Sequence, residues 1–412
     1  MIKQPNYRFA GYIEPWEEKK LGEVNDVRDG THASPKYVQD GFPLVTSKNL
    51  TSEGLDFSDI SFISEEDYIS INKRSKVEIG DIIFGMIGTI GNPVWLKIDG
   101  FAIKNVALLK KGGVIDNSFL IQLLQSSSFI KYISLENAGG TQKFLGLSQI
   151  RNFQLFSPSL PEQTAIGSFF QEIDQLISLQ QRKLEVLEEQ NKTYLKLLFP
   201  AKGQKKPALR FAGFEDEWKE VKLGEVFDIV TDYVANGSFE SLRNNVKTYE
   251  KENFAYMIRL QDASNSWRGP WLYTDEKGYN FLSKSRLFKD DILMSNVGTV
   301  GRFFQVPELD RPMTLAPNSV LIRSTSSNNQ FLYFMMLTSN IQDQITMRKT
   351  PGVQDKINKT DFKKVIATLP SLTEQQTIGA FFQDLDKVIA KQEEKVNQLK
   401  ESKQTLLRRM FI

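Results

Sequence analysis

Two glycine turns are the first residues in this 412-residue chain whose types and spacing suggest chemistry. Gly88-Thr89-Ile90-Gly91 and Gly298-Thr299-Val300-Gly301 could each aim backbone N–H groups at an anion. Neither is followed by the lysine of a Gly-x4-Gly-Lys-Ser/Thr phosphate loop, and both lie among apolar strand residues. Structural hairpin turns are the better reading, and a motor driven by such a loop is excluded. The chain has no cysteine and one histidine, His32. Thiolate nucleophiles, disulfides and His-rich metal sites are therefore excluded, as is a Ser-His pair in the second half. Asn92-Pro93-Val94-Trp95 lacks the second proline and the aromatic placement of an adenine-methylating site. Glu65-Glu66 falls in a polar segment and reads as solvated surface. No catalytic set and no metal site is expected.

The elements that would position any site are easier to read. From Ser157 to Pro200, apolar residues fall on a heptad seam. Phe170, Ile177, Leu184, Asn191 and Leu198 take one position; Ile166, Ile173, Gln180, Leu187 and Tyr194 take the other. This 3–4 spacing predicts one long helix packing a narrow stripe on another helix. Pro161 suits its first turn and Pro200 ends it. The same pattern returns from Leu369 to Ile412. Its seams are Phe382, Ile389, Val396, Lys403 and Met410, beside Ile378, Leu385, Gln392, Leu399 and Leu406. Thr373 followed by Gln376 reads as a helix-start capping box. Two such seams in one chain most simply pack on each other, with Gln180 and Gln392 as a polar layer fixing register.

The rest of the chain is also duplicated. Arg8-Phe9-Ala10-Gly11, Trp16 and Lys20-Leu21-Gly22-Glu23-Val24 return as Arg210-Phe211-Ala212-Gly213, Trp218 and Lys222-Leu223-Gly224-Glu225-Val226. Gly80-Asp81-Ile82-Ile83 and Asp290-Asp291-Ile292-Leu293 each lead to a glycine turn. A repeat of this length is a duplicated domain, not a solenoid. In the first lobe, Ile82 to Phe84, Val94 to Ile98 and Phe101 to Leu109 read as strands, and Ser118 to Leu135 as a helix. In the second, Leu315 to Ile322 reads as a strand and Gln330 to Arg348 as a helix. Mixed elements argue α/β or α+β lobes. Lys202-Gly203-Gln204-Lys205-Lys206-Pro207 reads as the linker between copies. Asp29-Gly30-Thr31-His32-Ala33-Ser34-Pro35 and Val45-Thr46-Ser47-Lys48-Asn49 have no clear echo in the second lobe, which instead carries Met257 to Asp262 and Trp267 to Trp271.

Lobe then helix, twice, with Ser159-Leu160-Pro161-Glu162-Gln163 and Ser371-Leu372-Thr373-Glu374-Gln375 opening the helices, resembles the specificity subunits of type I restriction–modification enzymes. The Gly-Asp-Ile and Gly-Thr-x-Gly blocks, the Gly140-x-Gln142 and Gly352-x-Gln354 turns, and Asp29-Gly30-Thr31-His32 carry the resemblance further. Thr373 in place of the first copy's proline and Asp290 in place of Gly80 depart from it slightly. The resemblance implies a non-catalytic subunit whose lobes are target-recognition domains, each reading half of a bipartite double-stranded DNA site. The helices would space the lobes and dock methyltransferase subunits, two of them, with a motor-nuclease subunit completing the restriction enzyme. This chain would bind no cofactor; S-adenosylmethionine, ATP and Mg would belong to the partners, for adenine methylation and restriction.

The expected architecture is thus two α/β (α+β) recognition lobes joined by two long helices in an antiparallel coiled coil, pseudo-two-fold symmetric. The expected segments are 1–160 and 201–372 as lobes, with 161–200 and 373–412 as helices. Candidate DNA-binding residues follow from donor chemistry. Lys48, Asn49, Gln142, Arg259, Gln261 and Arg268 could read base edges, as could Gln354. Lys73, Arg74 and Lys76, and Arg348, Lys349 and Lys356 with the nearby Lys359, Lys363 and Lys364, could meet phosphates or simply be solvated faces. His32 could contact a base or phosphate, or brace its loop beside Pro35. Glu185, Glu188, Glu189, Lys192, Glu393, Glu394 and Lys395 lie on the outer helix faces, the candidate docking surface.

Net charge is only +2. Residues 1–160 hold 17 Lys/Arg against 18 Asp/Glu, and residues 201–373 hold 24 against 20, so neither lobe has a strongly basic footprint. Any grip on DNA would come from local clusters or from a partner's charge. No secretory pattern opens the chain and no apolar run reaches membrane-span length, so a cytoplasmic protein is expected. A coiled-coil scaffold without DNA binding, and a stand-alone methyltransferase with a duplicated recognition region, are the rival readings.

Overall fold

The computed structural model describes residues 4–51, 53–137, 144–350, 352 and 354–412. Gln142 lies outside them. The chain divides into two compact units that do not follow chain order. One holds the chain up to Arg182 together with Glu393–Ile412; the other is Lys183–Gln392. The long helices, Leu160–Leu197 and Leu372–Met410, each begin in one unit and end in the other.

Inside the first unit, Val27–Asp29, Val106–Leu109, Ile82–Gly85 and Gly91–Trp95 form an antiparallel sheet in that order. A second sheet orders Ala102–Lys104, Phe42–Thr46, Ser61–Ile63 and Tyr37–Val38, its first pair parallel. Glu17–Lys20 pairs with Gln154–Ser157 at the foot of the first long helix. The second unit follows a similar plan, except that the parallel pair is central in its second sheet instead of at the edge. Ile229–Asp232, Val320–Arg323, Ile292–Met294 and Phe303–Gln305 form one sheet. Tyr273–Thr274, Ala255–Ile258, Met313–Leu315 and Arg286–Leu287 form the other, with Ala255–Ile258 parallel to Met313–Leu315. Lys219–Lys222 pairs with Ile366–Leu369.

Four segments that read as single elements are broken, at matching places in the two copies. Phe101 to Leu109 turns at Asn105, whose φ of 58° sits in the left-handed region that asparagine tolerates, and the two halves join different sheets. Leu315 to Ile322 likewise becomes two strands in two sheets, with Asn318 (φ 72°) between them. The segment from Ser118 to Leu135 becomes Asn117–Gln125 and Ser127–Glu136, interrupted at Ser126, whose backbone is extended and whose Oγ donates to Leu123 O. Thr338 interrupts the segment from Gln330 to Arg348 in the same way, its Oγ1 donating to Met335 O. A hydroxyl that satisfies a terminal carbonyl lets the chain turn while the apolar spacing continues into one core.

The heptad seams describe the long helices well. None of the named seam residues is exposed. Pairing is antiparallel within each unit. In the first, Lys403 Nζ lies 2.6 Å from Asp174 and 2.7 Å from Gln125, and Gln122 donates to Asp174. In the second, the equivalent layer is a hydrogen bond from Asn191 to Asp386 (3.1 Å). The second helix starts two residues earlier than the expected capping box: Ser371, not Thr373, accepts from Glu374 N. Each core is finished by the far end of a long helix. Phe411 packs with Trp16, Phe119 and Phe170 in the first unit, and Phe199 with Trp218, Phe331 and Phe382 in the second.

The Glu-Gln pair opening each long helix is a clamp. Glu162 takes a two-pronged ion pair from Arg8, at 2.6 Å on both oxygens, and Glu374 takes one from Arg210 at 2.8 Å. Gln163 and Gln375 accept from the backbone N–H of Asp116 and Asn328, the N-caps of the lobe helices beside them. One turn later, a Cβ on Gly167 or Gly379 would collide with Ser118 or Asn328, so only glycine permits that approach. Among the described residues, no helix is long and apolar enough to cross a membrane.

Candidate nucleic-acid interface

In each unit three segments meet at the end of the parallel strand pair. The first is the turn that follows Phe42–Thr46 or Ala255–Ile258. In the first unit it becomes a short 3-10 helix, Ser47–Asn49, and in the second the short helix Leu260–Ser264. Asn49 Oδ1 accepts from Thr46 N at 3.0 Å; Asp262 Oδ2 accepts from Arg259 N at 2.8 Å. These are one cap built from different side chains. The segments that had no clear echo of each other, Val45 to Asn49 and Met257 to Asp262, are therefore the same structural element, with Lys48 and Gln261 at equivalent exposed positions.

The second segment is the glycine turn. Gly88 and Gly91 (φ 77° and 96°) and Gly298 and Gly301 (φ 78° and 88°) occupy backbone conformations that side chains disfavour, which explains the motif without an anion. Ser47 Oγ donates to Ile87 O at 2.6 Å, joining turn to turn. The aspartate of each preceding block is buried and holds the hairpin base. Asp81 accepts from Glu78 N and from Lys110 Nζ, and Asp291 accepts from Phe288 N and the Arg323 guanidinium. The third segment returns beside the hairpin. Leu145 N donates to Met86 O in the first unit; Ile357 N donates to Asn296 O and Gly298 N to Asp355 O in the second. In the second unit the first two segments border an open cleft of about 190 Å³, lined by Leu260, Gln261, Ser264, Thr299 and Arg302 among others.

The candidate residues divide sharply. Lys48 is exposed and pairs only with exposed Asp59, a contact of little energy. Asn49 is 2% exposed, its amide spent on Thr46, Asp56 and Asp59. His32 sits between Asp29 and Asn105, at 2.9 Å from each, and Arg74 also reaches Asp29. The ring thus braces the corner where the two sheets part, with an edge still open to solvent. Lys73 and Lys76 are exposed. In the second unit Arg259 is held by Asp262 and Pro270 O, and the Asp262 hydrogen bonds raise its pKa further. Gln261 and Arg268 are exposed, as are Gln354 and Lys356 on the returning segment; Arg348 and Lys349 are half-buried just before it. Lys359 and Lys364 are paired with Asp232 and Asp361. Every candidate docking residue is exposed: Glu185, Glu188, Glu189 and Lys192 in the second unit, and Glu393, Glu394 and Lys395 in the first.

Sequence reasoning missed Arg302, Ser264 and Thr299 as neighbours of Gln261. For Arg302 the signal was its place directly after the glycine turn, where the first copy has Asn92; Thr299 repeats Thr89, and Ser264 carried no such signal. Among the described residues no cluster of three or more His, Asp or Glu could hold a metal ion.

A family model described as the type I restriction modification DNA specificity domain matches the chain twice, over residues 13–189 and 215–401. The putative type I restriction enzyme MjaX specificity subunit of Methanocaldococcus jannaschii is 22% identical over 416 residues, which cover 96% of this chain and 92% of that protein. The S subunit of a type I restriction–modification system from M. genitalium shares the fold with a TM-score of 0.59 at 14% identity, over 100% of this chain and 99% of that one. A chain from a structure of complex assembly and conformational transition in the type I R-M system aligns at a TM-score of 0.56 and 18% identity, over 97% and 98%. Two copies of one family model, falling on two units with one internal plan, place the chain in the type I restriction–modification DNA specificity family, as a specificity subunit.

Proposed function

We propose that each unit reads one half of a bipartite DNA site through the edge formed by its strand-to-helix turn, glycine hairpin and returning segment. The long helices set the distance between half-sites, and their exposed charged faces dock methyltransferase subunits. Adenine methylation, and restriction where a motor-nuclease subunit joins, are then performed by partners that carry S-adenosylmethionine, ATP and Mg. The observation that carries this reading is the edge itself: one backbone cap and one glycine hairpin, built twice, with different exposed side chains on each. A common scaffold with divergent polar tips is what two readers of two different sequences require. Near-neutral lobes fit a subunit whose grip on phosphates is supplemented by its partners.

The test is a lobe exchange. Replacing residues 1–160 with the matching lobe of a relative, in the complex with methyltransferase, is expected to change one half of the methylated site and leave the other intact. Separate cores behave additively, so one substitution should not reach both readers. Loss or change of both halves together would count against independent lobes.

A further inference from the structure

We propose that Arg302 reads a guanine edge in the half-site of the second unit; the inference rests on the DNA-reading function proposed above. Arg302 follows the last glycine of the hairpin and lies in the cleft beside Gln261, Ser264, Ser295 and Thr299. Its guanidinium carbon lies over the Phe304 ring, 5.2 Å from the centroid, a cation–π contact. That contact tethers the group beside the ring without engaging its N–H donors. No carboxylate pairs with it among the described residues. The contrast with other arginines of the second unit is informative. Arg259 is pinned on Asp262, Arg323 on Asp291, Arg311 on Glu252 and Arg210 on Glu374. Those four are structural, whereas Arg302 is exposed, held beside a ring and unneutralised.

A planar two-donor group held in a polar cleft matches the paired N7 and O6 acceptors of guanine. Gln261 supports the same edge. With its amide turned so that the oxygen accepts from Arg259 Nη1 at 2.8 Å, its NH2 is left to donate outward. In the first unit the equivalent residue is Asn92, whose Nδ2 is spent on Leu50 O at 2.9 Å. The two units therefore differ at this position in what they can offer a base.

The experiment uses the full complex with its methyltransferase subunits and a panel of DNA sites in which each base pair is varied in turn. The unmodified complex is expected to demand a G·C pair at one position of the second half-site. Arg302→Ala should weaken that demand by roughly five- to a hundred-fold, the worth of one bidentate contact, and leave every other position unchanged. Arg302→Lys, which keeps charge and stem but lacks the planar fork, should discriminate less than arginine and more than alanine at that position. Intact discrimination at the other positions of the second half-site shows in each variant that the second unit is folded. A uniform loss on all sequences, with a salt dependence shallower by about one charge, would make Arg302 a phosphate contact and overturn the assignment. Unchanged preference in the alanine variant would overturn it as well. If the unmodified complex discriminated at no position, the DNA-reading function itself would fall first.

Discussion

Seven residues added to each long helix, near Leu184 in the first and near Gln392 in the second, are expected to move the preferred DNA site to one with half-sites further apart. A heptad keeps both seams in register, so the polar layers Lys403–Asp174 and Asn191–Asp386 survive the insertion. Each helix lengthens by about 10 Å, at roughly 1.5 Å per residue. That corresponds to about three base pairs at the roughly 34 Å, ten-base-pair turn of DNA. Three base pairs also turn a half-site by about 100° around the duplex, which a heptad does not match. Binding to the new site should therefore be weaker than native binding to the native site, unless DNA twist absorbs the difference. The check is a binding panel of sites differing only in spacer length, run with the methyltransferase present and helicity verified. An unchanged spacer optimum would show that the helices do not set the distance.

Arg210→Met is expected to destabilise the second unit by about 3–5 kcal/mol, the usual result of leaving one member of a buried ion pair alone. Glu374 is 2% exposed in its side chain and receives both prongs of the guanidinium. Its remaining side-chain donor would be Trp218 Nε1 at 3.3 Å, too long to replace a charged pair. For a unit of about 200 residues this means a melting transition lower by roughly 10 °C. Adding Glu374→Leu should restore much of the loss, because the uncompensated charge is removed with its partner. Melting followed by Trp fluorescence and by limited proteolysis checks both variants. A loss below about 1 kcal/mol, or a double variant no better than the single, would mean the clamp is not what ties the Arg210 segment to the helix.

The clamp also explains which parts of the molecule could be read without coordinates. Glu162-Gln163 and Glu374-Gln375 stand out in the sequence because their partners, Arg8 and Arg210 and the caps at Asp116 and Asn328, recur at matching places. The helices stand out because a heptad stripe is a periodic demand. The sheets do not, since their strands are two to five residues long and turn from one sheet into another at single residues such as Asn105. The edge proposed to read DNA was hidden for a different reason. Val45 to Asn49 and Ile258 to Asp262 share a backbone cap that Asn49 and Asp262 each supply, and nothing else in their side chains needs to agree. Asn49 and Arg259 looked like free donors because donor chemistry is visible in a sequence and the partner that occupies it is not. Arg302 bears no mark in the sequence beyond its place after the glycine turn, because what sets it apart is the Phe304 ring beside it and, among the described residues, no paired carboxylate.

The most direct test maps the methylated bases in cells carrying the methyltransferase subunits with and without this chain. The account expects a single motif of two short specified halves around an unspecified spacer, present only when the chain is present. A methylated motif that persists without the chain, or one whose specified bases are contiguous, would contradict it.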